Sequence, residues 1–364
     1  MAHTELNKPM PIIPRIHIAG RRIAVDEPPY VIAELSANHN GKLETALTIV
    51  EEAKKAGADA VKLQTYTADT ITLDCDTEEF QIRGGLWDGK TLYQLYREAH
   101  MPWEWHEPLF ARAREIGITL FSSPFDQTAV NLLEDLDAPA YKIASFEAID
   151  LPLIKYAAAT GKPIIISTGM ADAEEIDEAI AAARAGGCRE LAILHCVSGY
   201  PAPAADYNLR TISDMIQRFG LVTGLSDHTL DNITAIASVA LGSAIIEKHF
   251  TLDRGGGGPD DSFSLEPPEL AQLCAGAHTA WKALGCVDYG RKPSEMANVQ
   301  FRRSLYFVKN LAAGQIIGYD SIRSVRPGFG LSPRLLEDLV GRKVTRSVSI
   351  NTPVRADCID WSAK

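Results

Sequence analysis

Cysteine is sparse: six residues, Cys75, Cys188, Cys196, Cys274, Cys286 and Cys358, are scattered through 364. None forms a C-x-x-C pair, so neither a disulfide framework nor a cysteine zinc site is expected, and the pattern is that of a reduced chain. No apolar run is long enough to span a bilayer. The opening stretch, MAHTELNKPMPIIPRI, lacks the apolar core of a secretory signal. The cytoplasm is the expected compartment. Positive charge is also short, with 36 lysines and arginines against 47 aspartates and glutamates and a formal net charge of −11. That disfavours nucleic-acid and membrane-surface partners, and an anionic ligand would need a local basic pocket working against the global field. No G-x-G-x-x-G follows the first apolar strand, which weighs against an open doubly wound dinucleotide-binding sheet.

What the chain does carry is a repeated strand–helix texture. Residues 1–28 are proline-rich and read as an extended arm or small hairpin turning at Gly20-Arg21. Apolar strands are then expected at 30–35, 60–63, 118–121, 141–144, 164–167, 191–195, 221–225 and 244–246. Helices are expected at 43–56, 103–116, 128–136, 151–159, 173–185, 231–241 and 266–284. Several helices end in glycine, the residue preferred just past a helix C-terminus. Eight strand–helix units within about 250 residues match a closed (β/α)8 TIM barrel, an α/β fold. Residues 1–285 are expected to hold the arm and barrel, 286–300 a linker, and 301–364 a small, mostly β module. That module carries SLYFVKN, RKVTRSVS and one short helix at 333–339. The long stretch Thr65–Met101, with GLWDGKTLYQLY and leading into PWEWH, interrupts the second unit. It would overlie the barrel mouth as a substrate-shaping lid, or simply pack its aromatics onto the barrel.

In such a barrel, function is read from the residues that follow each strand. The most informative stretch is GLSDHTLDNITAIASVALGSAIIEKHF, Gly224–Phe250, in which two successive strands end at His228 and His249. Both imidazoles would reach the same rim. Two neutral imidazoles in one cleft suit a divalent transition metal such as manganese, iron, cobalt or zinc; a plain strand-capping role is the alternative. The other strands end in Glu34 and Ser36; Lys62 and Gln64; Ser122-Ser123; Lys142, Ser145 and Glu147; Ser167-Thr168-Gly169; and His195-Cys196-Val197-Ser198. Ionisable groups carried inward cost stability unless they pair or bind something. Two lysines among hydroxyls make an oxyanion site, best suited to a ligand bearing both phosphate and carboxylate. The plainer alternative is that each lysine forms a structural ion pair with Glu34, Glu147 or Glu247. The run Gly255–Gly258 with Pro259-Asp260-Asp261 reads as a flexible loop able to bring an aspartate over the site.

Taken together, AELSANHNG around Glu34, VKLQTY, FSSPFD, YKIASFE, STGM, HCVSGYPAP, GLSDHT and EKHFTLDR resemble the sialic acid synthase family across nearly the whole chain. The linker and C-terminal module, with VRPGFG at 325–330, resemble that family's antifreeze-like (SAF) domain. Within the family, the inserted stretch looks most like the pseudaminic acid branch. The resemblance implies an enzyme of the transferase class. Carbon 3 of phosphoenolpyruvate would join an open-chain aldehyde polarised by a metal, and water addition at carbon 2 would release phosphate by C–O cleavage. The implied sugar is 2,4-diacetamido-2,4,6-trideoxy-L-altrose. It implies His228 and His249 as ligands of manganese, with magnesium or cobalt as alternatives. Lys62, Ser123, Lys142, Ser145, Ser198 and Ser226 would hold phosphoenolpyruvate, although sialic acid synthases have asparagine at the place of Ser198. Glu34, Glu147 and Asp260 would be catalytic, with Asp261 competing for the last place. Gln64 and Arg326 would face the sugar, Arg326 reaching an acyl group from the antifreeze-like domain. A domain-swapped homodimer with shared sites is implied as well, with no nucleic-acid or membrane partner. The alternatives are an N-acetylneuraminic or legionaminic acid synthase, a pyruvate aldolase with a Schiff base on Lys62 or Lys142, and a sugar- or ice-binding protein centred on the C-terminal module.

Overall fold

The computed structural model describes residues 13–362; the first twelve residues of the expected arm lie outside it. The chain divides into two compact units, Met1–Gly285 and Cys286–Lys364. The first unit opens with a hairpin, β1 (Ile16–Ile18) and β2 (Arg21–Ile23), paired antiparallel. Its turn is Ala19-Gly20, both at positive φ (48° and 80°), one residue earlier than expected. Two central residues at positive φ match the right-handed twist of a two-residue hairpin, and Arg21 is thereby the first strand residue rather than a turn residue.

Eight strands then close a parallel barrel: β3 (Tyr30–Glu34), β4 (Ala60–Thr65), β5 (Thr119–Pro124), β6 (Tyr141–Ile143), β7 (Ile164–Ser167), β8 (Leu191–Cys196), β9 (Val222–Asp227) and β10 (Ile245–His249). Closure is made by β10 pairing with β3, with His249 opposite Glu34. The helices of the first unit are α1 (Leu43–Ala56), α2 (Ala68–Ile71), α3 (Leu92–Ala99), α4 (His106–Ile116), α5 (Gln127–Asp135), α6 (Leu151–Ala158), α7 (Ala173–Ala185), α8 (Arg210–Phe219), α9 (Ile233–Val239) and α10 (Pro267–Leu284). The expected helix starting at 103 begins as a 3-10 turn, Trp103–Trp105, before α4. Three helices were not anticipated: α8, and α2 and α3 within the 65–101 insertion.

Local chemistry sets these boundaries. Asp126 and Asp172 cap α5 and α7, each accepting from two backbone N–H groups of the first turn. Gly117 ends α4 at φ 69°, where a side chain would be strained. A large apolar layer lies between strands and helices. A second cluster fills the barrel's lower interior, where Ile16, Ile18 and Ile23 of the hairpin pack with Tyr30, Ala60 and Ala244 at the strand starts. The hairpin thus plugs the N-terminal end of the barrel. Among the described residues, no helix is long and apolar enough to cross a membrane.

The second unit starts with a 3-10 helix over Pro293–Phe301, inside the stretch expected to be a linker. Among its described residues the one regular sheet is β11 (Ser304–Phe307) against β12 (Ile322–Val325). RKVTRSVS does not form a strand as expected. Its residues make single bridges to three separate segments, Lys343 to Ile316, Val344 to Ile359 and Val348 to Leu311, so no continuous ladder develops. The short helix is a 3-10 turn at Pro333–Leu335 followed by α11 (Leu336–Leu339). Leu305, Phe307, Ile317, Leu339, Val344 and Val354 form this unit's own core.

Candidate active site

A cavity of about 470 Å³ opens at the C-terminal ends of the barrel strands. Side chains alternate along a strand, so Lys62 and Gln64 of β4 both project to one side. There they meet Glu34 at the end of β3, Lys142 from the middle of β6, and Glu247 from β10. Lys62 Nζ lies 2.6 Å from Glu34 and 3.7 Å from Glu247, and Lys142 Nζ lies 3.4 Å from Glu247. All four groups are at most 5% exposed. The ion-pair alternative is therefore correct as geometry, with Glu247, not Glu147, as the shared partner. Two lysines and two carboxylates around a cavity are near neutrality as they stand, and they give a ligand both donors and acceptors.

Burial decides how these groups titrate. It pushes Glu34 up to about 7 in spite of Lys62 beside it. Burial alone would lower Lys62, but Glu247 and Glu34 hold its ammonium form above the usual lysine range. Lys142 goes down, because burial outweighs its attraction to Glu247. Glu247 goes the other way: burial would raise it, yet Lys142 and Lys62 keep it below the ordinary carboxylate value. Glu147 also lines the cavity, has one buried oxygen without a partner, and is raised to about 7 by burial.

The hydroxyl residues divide. Ser226 lines the cavity and donates to Glu247 at 3.3 Å. Ser145 and Ser198 line it too, with Ser198 donating to Ser145 at 2.9 Å. Gly169 permits this pair, since a Cβ there would sit 2.4 Å from that of Ser145. Ser123, also expected among these residues, is buried behind the cavity lining and accepts from Lys62 at 3.2 Å. Gln64 donates to Glu34 at 2.8 Å and to Ser36 at 3.0 Å.

The adjacent aspartates separate cleanly. Asp260 lines the cavity and accepts from Ser36, and burial raises its pKa. Asp261 points into its own loop, accepting from Thr251 at 2.5 Å, Asn40 at 2.9 Å and the Gly258 N–H at 2.8 Å. Of the two, Asp260 is the one that faces the cavity, and Asp261 holds the glycine-rich turn.

His228 and His249 stand with ring centroids 5.5 Å apart on the same cavity wall. His228 Nδ1 is 2.8 Å from the Val197 carbonyl, which makes it the protonated nitrogen and leaves Nε2 a free lone pair. His249 Nδ1 is buried without a partner. Burial lowers His228 to about 4 and His249 well below the usual histidine value, so both are neutral, the ligating form. Among the described residues no group of three or more His, Cys, Asp or Glu is spaced as a complete metal cage. Two imidazoles nonetheless fit a divalent ion that keeps open positions for oxygen ligands.

Two residues of this wall were not singled out as site residues from the sequence. The sequence offers Glu247 only as a lysine's structural partner. Tyr200 stacks 4.4 Å from His228 and 6.1 Å from His249; a tyrosine after a strand carries no pattern that would mark it. Lys248, by contrast, faces away from the cavity and is bound within the β9–α9 connection. Arg326 lies in the second unit, beside a groove lined by Asn298, Phe301, Arg302, Arg303 and Pro333.

The chain is similar to known proteins over most of its length. Residues 49–289 match the NeuB family and residues 302–360 the SAF domain. The chain is 41% identical over 330 residues to a pseudaminic acid synthase of Campylobacter jejuni, covering 91% of this chain and 96% of the relative. It is 40% identical over 337 residues to the pseudaminic acid synthase of Helicobacter pylori, covering 92% and 99%. A crystal structure of an N-acetylneuraminic acid synthetase from Leptospira borgpetersenii, in complex with citrate, superposes with a TM-score of 0.70 at 31% identity, covering 80% of this chain and 96% of that one. The chain belongs to the NeuB family, ends in a SAF domain, and is an enzyme of the nonulosonic acid synthase class.

Proposed function

We propose that the protein is a pseudaminic acid synthase. It would condense phosphoenolpyruvate with 2,4-diacetamido-2,4,6-trideoxy-L-altrose, releasing phosphate by C–O cleavage. The observation that carries this reading is the single cavity in which two buried lysines, two acidic groups raised to about 7 and two neutral imidazoles converge. The branch rests on the two relatives that are pseudaminic acid synthases, each about two-fifths identical over nine-tenths of this chain.

Lys62 and Lys142 present ammonium groups to the phosphate and carboxylate, and Ser145, Ser198 and Ser226 add hydroxyl donors at the same wall. An incoming dianion replaces part of what Glu247 now supplies to the lysines. Glu34, held by Gln64 and Lys62, is placed to take or give a proton as water adds to carbon 2. Glu147 and Asp260 complete the polar wall, and Gln64 faces the sugar. Arg326, a guanidinium without an ion pair among the described residues, is assigned to an acyl oxygen of the sugar. His228 and His249 would hold a divalent ion, with manganese our first choice; when bound it supplies Lewis-acid polarisation of the aldehyde.

Phosphate release from phosphoenolpyruvate in the presence of manganese tests the reading. Release is expected with the trideoxy altrose and not with N-acetylmannosamine or the matching mannose epimer. Treatment with EDTA should reduce it to background, and manganese should restore it. Release with N-acetylmannosamine alone would refute the branch, and undiminished activity after chelation would refute the metal.

We also infer a homodimer. Phe146, Ile149, Met170 and Leu230, on the connections that follow β6, β7 and β9, and Ile233 at the start of α9 are 53–74% exposed, apolar side chains that a second copy would cover. Light scattering should give twice the 39.6 kDa chain mass, and the double variant Met170→Asp with Ile233→Asp should shift the protein toward single chains. A wild-type enzyme active at the mass of one chain would refute the dimer.

A further inference from the structure

The 65–101 insertion sorts its side chains sharply. It carries many charged residues, yet those it turns to the cavity are apolar or aromatic, among them Ile71, Ile82, Trp87 and Leu95. The sorting is clearest on α3. Leu92, Leu95, Tyr96 and Ala99 recur at helical spacing and all line the cavity, while Gln94, Arg97 and Glu98 are exposed on the other side. A reciprocal capping box fixes the helix: Thr91 accepts from the Gln94 N–H at 3.1 Å, and the Gln94 side chain accepts from the Thr91 N–H at 3.0 Å. Tyr66 packs edge-on against both Tyr96 and Phe125, at 5.7 and 5.1 Å, backing the stripe with a rigid aromatic cluster. An amphipathic helix normally buries its apolar stripe in a core. Here the stripe borders an open cavity that the lysines, carboxylates and histidines also line.

We propose that this stripe is the specificity subsite for the hydrocarbon end of the sugar: it receives the methyl group at carbon 6 of the trideoxy hexose and disfavours a hydroxymethyl group there. The inference rests on the reading of the sugar given above and adds which residues select it. The chemistry is one of exclusion. Among the cavity-lining residues of α3, Leu92, Leu95 and Ala99 offer no side-chain hydrogen-bonding group, so a hydroxyl placed against them loses its water without compensation. An apolar pocket of this kind discriminates by roughly 10–100-fold, the added hydroxyl being both unsolvated and one atom too many for the space a methyl fills. The polar wall makes no such selection. Phosphoenolpyruvate binding should therefore be separable from sugar selection, although both use one cavity.

The test compares wild type, Leu95→Asn and Leu92→Asn. Leu95 is 6% exposed, so the second variant, at a half-buried position on the first turn, guards against failure to fold. Each is assayed by phosphate release with the trideoxy altrose and with its 6-hydroxy counterpart. Saturation-transfer NMR reads which sugar protons meet the protein. Wild type should prefer the deoxy sugar by about 10-fold or more, with the strongest transfer to the carbon 6 methyl. Each variant should raise KM for the deoxy sugar, narrow the preference to within about threefold and leave KM for phosphoenolpyruvate within about twofold. Variants that keep the wild-type preference overturn the subsite and leave the reaction standing. A wild type that turns over the 6-hydroxy sugar equally well overturns the subsite too. If no sugar supports release but the methyl still shows the strongest transfer, the reaction fails and the subsite survives; uniform transfer refutes the subsite directly.

Discussion

Replacing Glu34 by Gln or Ala should lower kcat by about 10²–10⁴-fold, the range general acid–base groups contribute, while phosphoenolpyruvate affinity changes little. Glu34 is 1% exposed, 2.6 Å from Lys62 and bonded by Gln64 at 2.8 Å. Burial places its pKa at about 7, so at neutral pH the group exists in both forms and can pass a proton in either direction. Glutamine preserves the shape and removes the titration. Lys62 is not stranded, because Glu247 lies 3.7 Å away and also serves Lys142. The anion site therefore keeps both cations and one carboxylate. Steady-state phosphate release gives kcat, and calorimetric titration with phosphoenolpyruvate gives Kd. A variant within threefold of wild-type kcat would remove Glu34 from the chemistry. A proportionate loss of phosphoenolpyruvate binding would make it part of the anion site instead.

Lys248→Ala should destabilise the protein by about 3–5 kcal/mol, the cost of breaking a fully buried ion pair from one side. Lys248 is 2% exposed and Asp227 is fully buried. The ammonium donates to Asp227 at 2.7 Å and to the Thr229 and Asp231 carbonyls at 2.6 and 2.7 Å. Removing it leaves the buried Asp227 carboxylate with Thr229 as donor but no cation beside it, and takes a donor from the Thr229 and Asp231 carbonyls. The same network flanks His228, whose backbone N–H donates to the Tyr207 hydroxyl at 2.6 Å. Lost stability should thus be accompanied by weaker retention of a divalent ion. Urea titration measures the first effect and calorimetric titration with manganese the second. The double variant Lys248→Met with Asp227→Leu should recover much of the stability, since it buries no unpaired charge. A loss under about 1 kcal/mol from Lys248→Ala would mean that the pair contributes no more than an exposed one.

The barrel was legible because its strands are continuous apolar runs rich in Ile, Val and Ala, the signature of strands buried on both faces. Helix α8 escaped because RTISDMIQRF is mostly polar by count. Its apolar residues, Ile212, Met215, Ile216 and Phe219, recur at helical spacing but are diluted by charge. The two site histidines were legible because they end successive strands. Glu247 and Lys248 were harder, for adjacent residues on a strand face opposite ways: one joins the cavity and the other holds a loop. Nothing in their spelling tells which. Asp260 and Asp261 posed the same problem in a turn, where orientation follows from bonds to Thr251 nearby and to Ser36 and Asn40, distant in the chain. The pairing of Lys62 and Lys142 with one shared carboxylate was likewise invisible, because it depends on the lateral order of β10, β3, β4 and β6 around the barrel.

The hairpin of β1 and β2 has a consequence for molecular traffic. With Ile16, Ile18 and Ile23 set into the lower barrel, the interior is a cul-de-sac with one doorway. Whatever settles against Lys62 and Lys142 is overtaken by nothing from below. A ligand seated against those lysines would have to enter and leave past anything bound nearer that doorway.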